Sequence, residues 1–349
     1  MSPLPVTLAA GPYDRTRALA DGRVTVAGAD LRYITLDPEE IFFRMVNHAE
    51  FDVSEMSLAT FHVIHDKARQ AGAPAPFVAI PVFPSRMFRH TSVYVNRDRL
   101  PSGDPAALAG ATVGVAEWQL TANVWIRGIL ADHYGVPVES VRYRTGGLNA
   151  PGRHEKVALT LPPEIDIAPI AGGKTLSGML AAGEIDAIYS PRAPSSFSTE
   201  SSSTGSSGSR GVARLFADTR AEEERYFTAT GIFPIMHVIV IRRAVYEANR
   251  WLPRELLKSF IAAKQIGYDE LARTAALAIS LPFAREEYDR AVAVMGPDYW
   301  PYGIEPNRQV LAAFARYAAA QHLVTPEPGN AAPAPESLFA PETAEEVII

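Results

Sequence analysis

The sequence predicts an α/β protein of two lobes, each with a mixed, mostly parallel sheet flanked by helices. Three observations favour this fold class. Strand-like and helix-like segments alternate along the chain, which is the pattern of βαβ units. Polar residues directly follow several of the predicted strands. The length of 349 residues is sufficient for two compact units of ordinary size.

The first part of the chain predicts three buried strands, over residues 6–10, 51–53 and 77–82. The first strand ends in the turn at Gly11, and residues 54–57 are predicted as a loop after the second strand. A helix is expected to begin near Asp37, because Asp37 can cap it and Pro38 suits the first helical position.

The rest of the chain continues the alternation before it becomes mainly helical. Strands are predicted over 91–95, 112–116 and 185–189, and helices over 121–134, 175–182, 254–278, 283–295 and 307–321. Gly135 and Pro137 are expected to end the helix at 121–134. The run SSFSTESSSTGSSGS at 195–209 buries little apolar surface, so we expect a flexible insert there.

Composition excludes several classes of protein. There is no cysteine, which excludes disulfides, thiolate metal sites and cysteine nucleophiles. The formal net charge of −6 argues against a nucleic-acid partner. No secretory signal or membrane-spanning apolar run is visible, so we expect a soluble, cytoplasmic protein without a membrane partner. A homo-oligomer is compatible with these features.

Candidate ligand-binding residues follow the predicted strands, because ligands of open α/β sheets bind beyond the carboxyl ends of the strands. Arginine side chains match carboxylates bidentately, and four arginines lie near predicted strand ends: Arg15, Arg86, Arg89 and Arg192. The alternative to a ligand-binding role is, for each of these arginines, a solvated position on the protein surface. Tyr13 and Ser57 lie in the same kind of position.

The helix predicted from Thr121 offers a second kind of anion site. Its first backbone N–H groups face the preceding loop, where Gln119 and Thr121 can add side-chain donors. A plain N-cap is the alternative role for Thr121.

Two histidines are candidates for proton transfer. His90 and His237 each lie beside a strongly apolar segment, SVYV and VIVI, where a histidine needs a partner or a function. If the strand at 91–95 extends backwards, Arg86 and His90 share one of its faces. A hydrogen-bonded structural histidine is the alternative for both. His62 and His65 are expected to form a surface pair rather than a metal site.

Several long strings resemble the 4,5-dihydroxyphthalate decarboxylase family. They include GPYDRTRALADGRV, LDPEEIFFRMVNHAEFDVSEMSLATF, FVAIPVFPSRMFRHTSVYVN, VGVAEWQLTANVWIRGIL, GIFPIMHVIVIRR and MGPDYWPYGIEPNR. The resemblance implies a two-lobed fold like that of type II periplasmic binding proteins, with a ligand cleft between the lobes. Lobe 1 would comprise 1–96 plus 233–349, and lobe 2 would comprise 97–232 with the serine-rich insert.

The resemblance also implies a lyase of aromatic catabolism, which converts 4,5-dihydroxyphthalate to 3,4-dihydroxybenzoate (protocatechuate) and CO2 in phthalate degradation. Each carboxylate is para to a hydroxyl, so protonation of the carbon that bears it gives a dienone-like intermediate that loses CO2. Such a site needs an acid, a base and cations. We expect His90 or His237 as the acid, Glu55 or Glu117 near the hydroxyls, and Arg86 with Arg192 as carboxylate clamps.

No cofactor is required, since the ring is its own electron sink. The catechol and dicarboxylate groups of such a substrate can chelate a divalent metal, but no ligand motif in the sequence indicates one. Two alternatives remain: a solute-binding receptor for an aromatic carboxylate, and a decarboxylase of a related hydroxybenzoate.

Overall fold

The computed structural model describes residues 2–153, 155, 157–197, 211–326 and 334–344. Residues 198–209, most of the serine-rich insert, lie outside the described residues. The chain divides into two compact units. The first unit consists of the described residues of Met1–Arg86, Ile235–Ala315 and Ala332–Ile349, and the second of those of Met87–Pro234 and Arg316–Ala331. The lobe boundaries expected from the sequence stay a prediction.

The strands are β1 (Leu4–Ala10), β2 (Ala29–Thr35), β3 (Val53–Ser57), β4 (Phe77–Arg86), β5 (Val93–Asn96), β6 (Thr112–Val115), β7 (Arg142–Thr145), β8 (Ile167–Pro169), β9 (Ala187–Tyr189), β10 (Val212–Arg214) and β11 (Ile235–Arg242). The helices are α1 (Asp14–Ala20), α2 (Pro38–His48), α3 (Leu58–Gln70), α4 (Thr121–Tyr134), α5 (Leu176–Ala181), α6 (Thr219–Thr230), α7 (Arg243–Ala248), α8 (Leu252–Leu271), α9 (Ala284–Met295) and α10 (Arg308–Ala320).

The sheet of the first unit has the order β2-β1-β3-β11-β4. Strand β1 is parallel to β2 and β3, whereas β11 is antiparallel to both of its neighbours. Every residue of β3 is buried, as expected of a central strand covered on both faces. Because β11 lies between β3 and β4, a segment distant in sequence is adjacent to the end of β3.

The sheet of the second unit has the order β10-β5-β9-β6-β7-β8. Strands β6 to β9 are mutually parallel, and β5 is antiparallel to β9 and β10. One hydrophobic cluster of this unit consists of the buried residues Tyr94, Leu176, Leu180, Ile185, Ile188 and Val212. Both sheets are therefore mixed and mostly parallel, which confirms the predicted fold class.

Local signals for helices were reliable. Asp37 caps α2 and accepts a hydrogen bond from the backbone N–H of Glu39 at 2.9 Å. Gly135 ends α4 in the left-handed region, with φ of 64°. The N-cap of α4 is Leu120, so Thr121 is the first helical residue rather than a plain N-cap.

Three predictions about local structure were wrong. Residues 54–57 are not a loop, because pairing with β11 keeps them extended in β3. Strand β5 begins at Val93, and His90–Ser92 form a 3-10 turn, so no extended run connects Arg86 with His90. His62 is not on the surface: it is buried, and its Nδ1 lies 2.9 Å from the carbonyl of Leu58.

Candidate functional site

A glutamate and a histidine from neighbouring strands meet in the first unit. His237 on β11 is opposite Ser57 on β3, and Glu55 is opposite Ile239. Glu55 and His237 are therefore diagonal cross-strand neighbours on one face of the sheet. His237 Nδ1 lies 2.5 Å from Glu55 Oε1, which makes the histidine the donor to the carboxylate.

Glu55 is completely buried and accepts two further hydrogen bonds. The Tyr13 hydroxyl donates to Oε1 at 2.7 Å, and the backbone N–H of Gly11 donates to Oε2 at 2.9 Å. Burial alone would raise the pKa of Glu55, but the His237 charge and these hydrogen bonds together lower it. The carboxylate is therefore ionised near neutral pH and can orient His237 and stabilise its protonated form.

The turn after β1 is shaped for this arrangement. A Cβ atom on Gly11 would lie 2.8 Å from Cζ of Tyr13, so only glycine leaves room for the tyrosine ring. Burial, followed by the charge of Glu55, raises the pKa of Tyr13 well above its ordinary value. Tyr13 is therefore a neutral hydrogen-bond donor to Glu55.

Of the Glu55–His237 pair, only the histidine is accessible to solvent. Its side chain is 19% exposed, whereas Glu55 is not exposed at all. The ring packs edge-on against Phe42, with 4.9 Å between ring centroids. With Nδ1 engaged by Glu55, Nε2 is the nitrogen left for a substrate.

Arg15 lies beside Tyr13 in the first turn of α1. Its guanidinium lies over two aromatic rings, 4.2 Å from the centroid of Tyr13 and 4.0 Å from that of Trp300. Its Nε donates to the carbonyl of Pro84 at 2.6 Å, and its Nη1 contacts Asp14 at 3.0 Å. The side chain is 16% exposed, so part of the guanidinium can contact a ligand.

Arg86 has a different environment. It is buried, and its Nη2 donates to the carbonyl of Pro301 at 2.7 Å and to the side-chain oxygen of Asn307. Burial lowers its pKa to about 9. These contacts hold the segment around Pro301 against the end of β4, which is a structural use of the guanidinium. Its predicted role as a carboxylate clamp stays a prediction.

The second unit contains His90, at the start of the turn before β5. The residue is buried, and neither ring nitrogen has a hydrogen-bond partner within the described part of the chain. The rings of Phe216 and Tyr226 lie 5.2 Å from its own. Burial lowers the pKa of His90 to about 4, so the ring is neutral at pH 7.

The loop between β6 and α4 carries the other predicted residues of this unit. Glu117 is buried and forms an ion pair with Arg153, with 2.6 Å between Nη2 and Oε1. Gln119 is also buried, and its Nε2 donates to Glu155 Oε2 at 3.1 Å. Glu155 Oε1 accepts from the backbone N–H of Trp118. A carboxylate of the protein itself thus occupies donors that the sequence predicted for an anionic ligand.

The remaining predicted residues have simpler surroundings. Ser57 caps α3, with its Oγ 3.4 Å from the backbone nitrogen of Thr60. Thr121 is buried in the first turn of α4, and Arg192 is exposed after β9. The structure thus brings together Tyr13, Glu55 and His237 in one unit, whereas Glu117 and Gln119 contact partners of their own in the other.

Two residues of interest were missed by sequence reasoning. Glu155 follows no predicted strand, so its position beside Gln119 had no signal in the sequence. Trp300 lies in the string MGPDYWPYGIEPNR, which carried the resemblance, but no role was assigned to any residue of that string. The density of aromatic residues there was the available signal.

The fold and the site define a class. Two mixed sheets, with a late strand inserted antiparallel in the first, are typical of α/β proteins with a periplasmic-binding-protein-like fold. The first unit of this fold also holds a buried carboxylate in contact with a partly exposed histidine. No protein-family model matches the chain.

Curated relatives identify the family. The chain is 40% identical over 314 residues to a 4,5-dihydroxyphthalate decarboxylase from Comamonas testosteroni, covering 90% of this chain and 91% of the relative. It is 45% identical over 197 residues to a 4,5-dihydroxyphthalate decarboxylase from Pseudomonas putida, covering 56% of this chain and 74% of the relative. The chain belongs to the 4,5-dihydroxyphthalate decarboxylase family.

A solved structure supports the fold. A protein from Bordetella bronchiseptica RB50 matches with a TM-score of 0.52 and 19% identity, covering 98% of this chain and 96% of that one. At this identity the likeness concerns the fold alone. Among the described residues, no helix is long and apolar enough to cross a membrane, and no group of three or more metal-binding side chains occurs.

Proposed function

We propose that this protein is a carboxy-lyase that converts 4,5-dihydroxyphthalate to 3,4-dihydroxybenzoate and CO2 in phthalate degradation. Membership of the decarboxylase family supports the reaction. The observation that carries a catalytic rather than a purely binding role is the contact between Glu55 and His237. A receptor has no need of a buried carboxylate that orients a partly exposed histidine.

The reaction requires a proton at the carbon that bears the leaving carboxylate. In the proposed step, His237 Nε2 gives its proton to that carbon, and the para hydroxyl delocalises the resulting positive charge as a protonated dienone. The bond to the carboxylate then breaks, its electron pair returns to the ring, and CO2 leaves. The neutral His237 takes a proton from water before the next turnover, so one proton is consumed for each CO2 released.

Each residue of the cluster has a proposed part in this step. Glu55 stabilises the protonated imidazole and keeps Nε2 directed away from itself. Tyr13 and the backbone of Gly11 hold the Glu55 carboxylate through their hydrogen bonds. Arg15 binds a substrate carboxylate, because its stacked guanidinium is partly exposed beside Tyr13.

The roles of the other predicted site residues are also proposals, and we rank them below those of His237, Glu55, Tyr13 and Arg15. Arg86 supports the segment around Pro301, and His90 is the second candidate for the acid. With Glu55 assigned to His237, Glu117 is the candidate for the carboxylate near the substrate hydroxyls. The substrate-binding roles expected for Ser57, Gln119, Thr121 and Arg192 also stay predictions. A cytoplasmic location and a homo-oligomeric state stay predictions from the sequence.

The direct test is incubation of the purified protein with 4,5-dihydroxyphthalate, with and without a chelator, while the product is followed by chromatography. We expect 3,4-dihydroxybenzoate and an equal amount of CO2. Binding without turnover by the folded protein would favour a receptor for aromatic carboxylates. Turnover of a related hydroxybenzoate alone would keep the chemistry and change the substrate.

A further inference from the structure

Trp300 is held by three hydrogen bonds from different parts of the first unit. Its indole Nε1–H donates to the carbonyl of Phe83 at 2.8 Å. Its backbone N–H donates to the hydroxyl of Tyr268 at 2.8 Å, and its carbonyl accepts from Lys264 Nζ at 3.1 Å. Both the backbone and the ring plane of this residue are therefore fixed.

Two residues of α8, Lys264 and Tyr268, hold the backbone of Trp300. Lys264 is only 4% exposed, and burial lowers the pKa of its ammonium group. Asp298 accepts from both Lys264 Nζ at 2.5 Å and the Tyr268 hydroxyl at 2.9 Å. Burying an ammonium group is costly, so a charged cluster of this kind suits a place where one geometry must be kept.

The ring that these anchors hold covers one face of the Arg15 guanidinium, at 4.0 Å from its centroid. The guanidinium also lies over the Tyr13 ring, 4.2 Å from its centroid, while Nε and Nη1 contact Pro84 and Asp14. Within the described residues, Nη2 of Arg15 donates no hydrogen bond to the protein. The guanidinium is thus fixed in its plane by two rings, with one edge left for a ligand.

From this arrangement we infer that Trp300 is a positioning residue, which holds the Arg15 guanidinium in the plane required to bind a carboxylate of the aromatic substrate. The inference rests on the proposed function, in which Arg15 is the carboxylate-binding residue. Trp300 acts through Arg15, so its loss should weaken substrate binding and leave the proton-transfer step unchanged.

The experiment is a double-mutant cycle on the full chain. Trp300→Leu and Trp300→Phe are made alone and together with Arg15→Ala, and KM and kcat for 4,5-dihydroxyphthalate are measured with the melting temperature of each variant. Trp251→Leu is the matched control, since Trp251 is 40% exposed and packs over Gly28 outside the cluster. Trp300→Phe keeps an aromatic face but loses the N–H donor.

We expect Trp300→Leu to raise KM roughly tenfold with kcat nearly unchanged, an effect within the range of a cation–π contact. Trp300→Phe should raise KM much less than Trp300→Leu does, and Trp251→Leu should leave KM unchanged. In the Arg15→Ala background, Trp300→Leu should have no further effect on KM, because the group that it positions is absent.

Two results would overturn the inference. If Trp300→Leu raises KM by the same factor in both backgrounds, the tryptophan acts independently of Arg15, as direct contact with substrate would. If Arg15→Ala raises KM but Trp300→Leu does not, Arg15 binds substrate without needing the tryptophan, and only the inference fails. If Arg15→Ala itself leaves KM unchanged, the carboxylate-binding part of the proposed function fails as well.

Discussion

His237 and His90 are similar in sequence and different in structure. Each lies beside a run of apolar strand residues, and each was a candidate for the proton donor. In the first unit His237 has a carboxylate at Nδ1 and a partly exposed ring. In the second unit His90 is enclosed by aromatic rings, and within the described part of the chain its nitrogens have no partner.

The difference shows what an apolar environment does to a histidine with and without a carboxylate. His237 contacts the buried Glu55 carboxylate through Nδ1, and its ring is partly exposed to solvent. Among the described residues, no carboxylate forms a hydrogen bond with His90, and burial lowers its pKa to about 4 although the charge of Glu222 partly opposes this shift. A neutral ring at pH 7 is a poor source of protons, so we favour His237 as the acid.

The largest expected effect is on turnover, after replacement of His237. A positioned acid contributes about 10²- to 10⁴-fold in rate. His237→Asn should therefore lower kcat by at least about 10²-fold while substrate affinity, measured by equilibrium binding, stays nearly intact. His90→Asn is the matched comparison and should keep most of the turnover. The opposite result would make His90 the acid and reverse the comparison.

The next effect tests whether the carboxylate is what distinguishes His237. Glu55→Gln keeps the size of the side chain but removes the charge that orients the ring and stabilises its protonated form. We expect kcat to fall by about 10²-fold, less than the roughly 10⁴-fold known for a serine-protease triad. Tyr13→Phe, which removes one donor to Glu55, should lower kcat less than tenfold. Normal turnover of a correctly folded Glu55→Gln variant would exclude the proposed pair.

A smaller effect, on affinity, is expected at Arg15. A hydrogen bond to a charged group contributes about 1.5–3 kcal/mol, so Arg15→Ala should raise KM roughly 10- to 100-fold with a modest change in kcat. Arg15→Lys should recover part of the loss, because it restores charge but not the planar fork. Arg86→Ala is the comparison: we expect it to lower the melting temperature, since Arg86 holds Pro301 and Asn307. A larger rise in KM for Arg86→Ala than for Arg15→Ala would indicate that Arg86, and not Arg15, binds the substrate carboxylate.

The last effect is on folding stability rather than on activity, and it concerns His90 alone. The unfolded chain binds a proton at this histidine near pH 6.5, whereas the folded chain binds it only near pH 4. Folding stability is therefore lost as pH falls between these values, by up to about 3 kcal/mol for this one group.

His90→Phe removes the titrating group and keeps an aromatic ring. Urea unfolding at pH 7 and pH 4.5 should show that the variant loses about 2–3 kcal/mol less than the original chain on acidification. His62, whose pKa burial also lowers to about 4, remains in both proteins and cancels in the comparison. An equal loss in the two proteins would mean that His90 titrates normally.

The sequence by itself determined the alternation of strands and helices, the N-cap of α2, the C-cap of α4, and the family. These features depend on local signals, such as Asp37 before Pro38 and Gly135 after the last helical turn. It also pointed to Tyr13, Glu55 and His237 as single candidates, because each lies beside a buried strand.

Only the tertiary structure decided which of these residues meet. His237 follows Glu55 by 182 positions, and they are neighbours because β11 inserts between β3 and β4. The same long-range pairing kept residues 54–57 in a strand where local pattern predicted a loop. The two histidines both lie beside apolar strand residues, and what separates them is whether a distant carboxylate forms a direct contact with the ring. The difference arises because β11 pairs with β3, and no short stretch of sequence encodes such a pairing between distant segments.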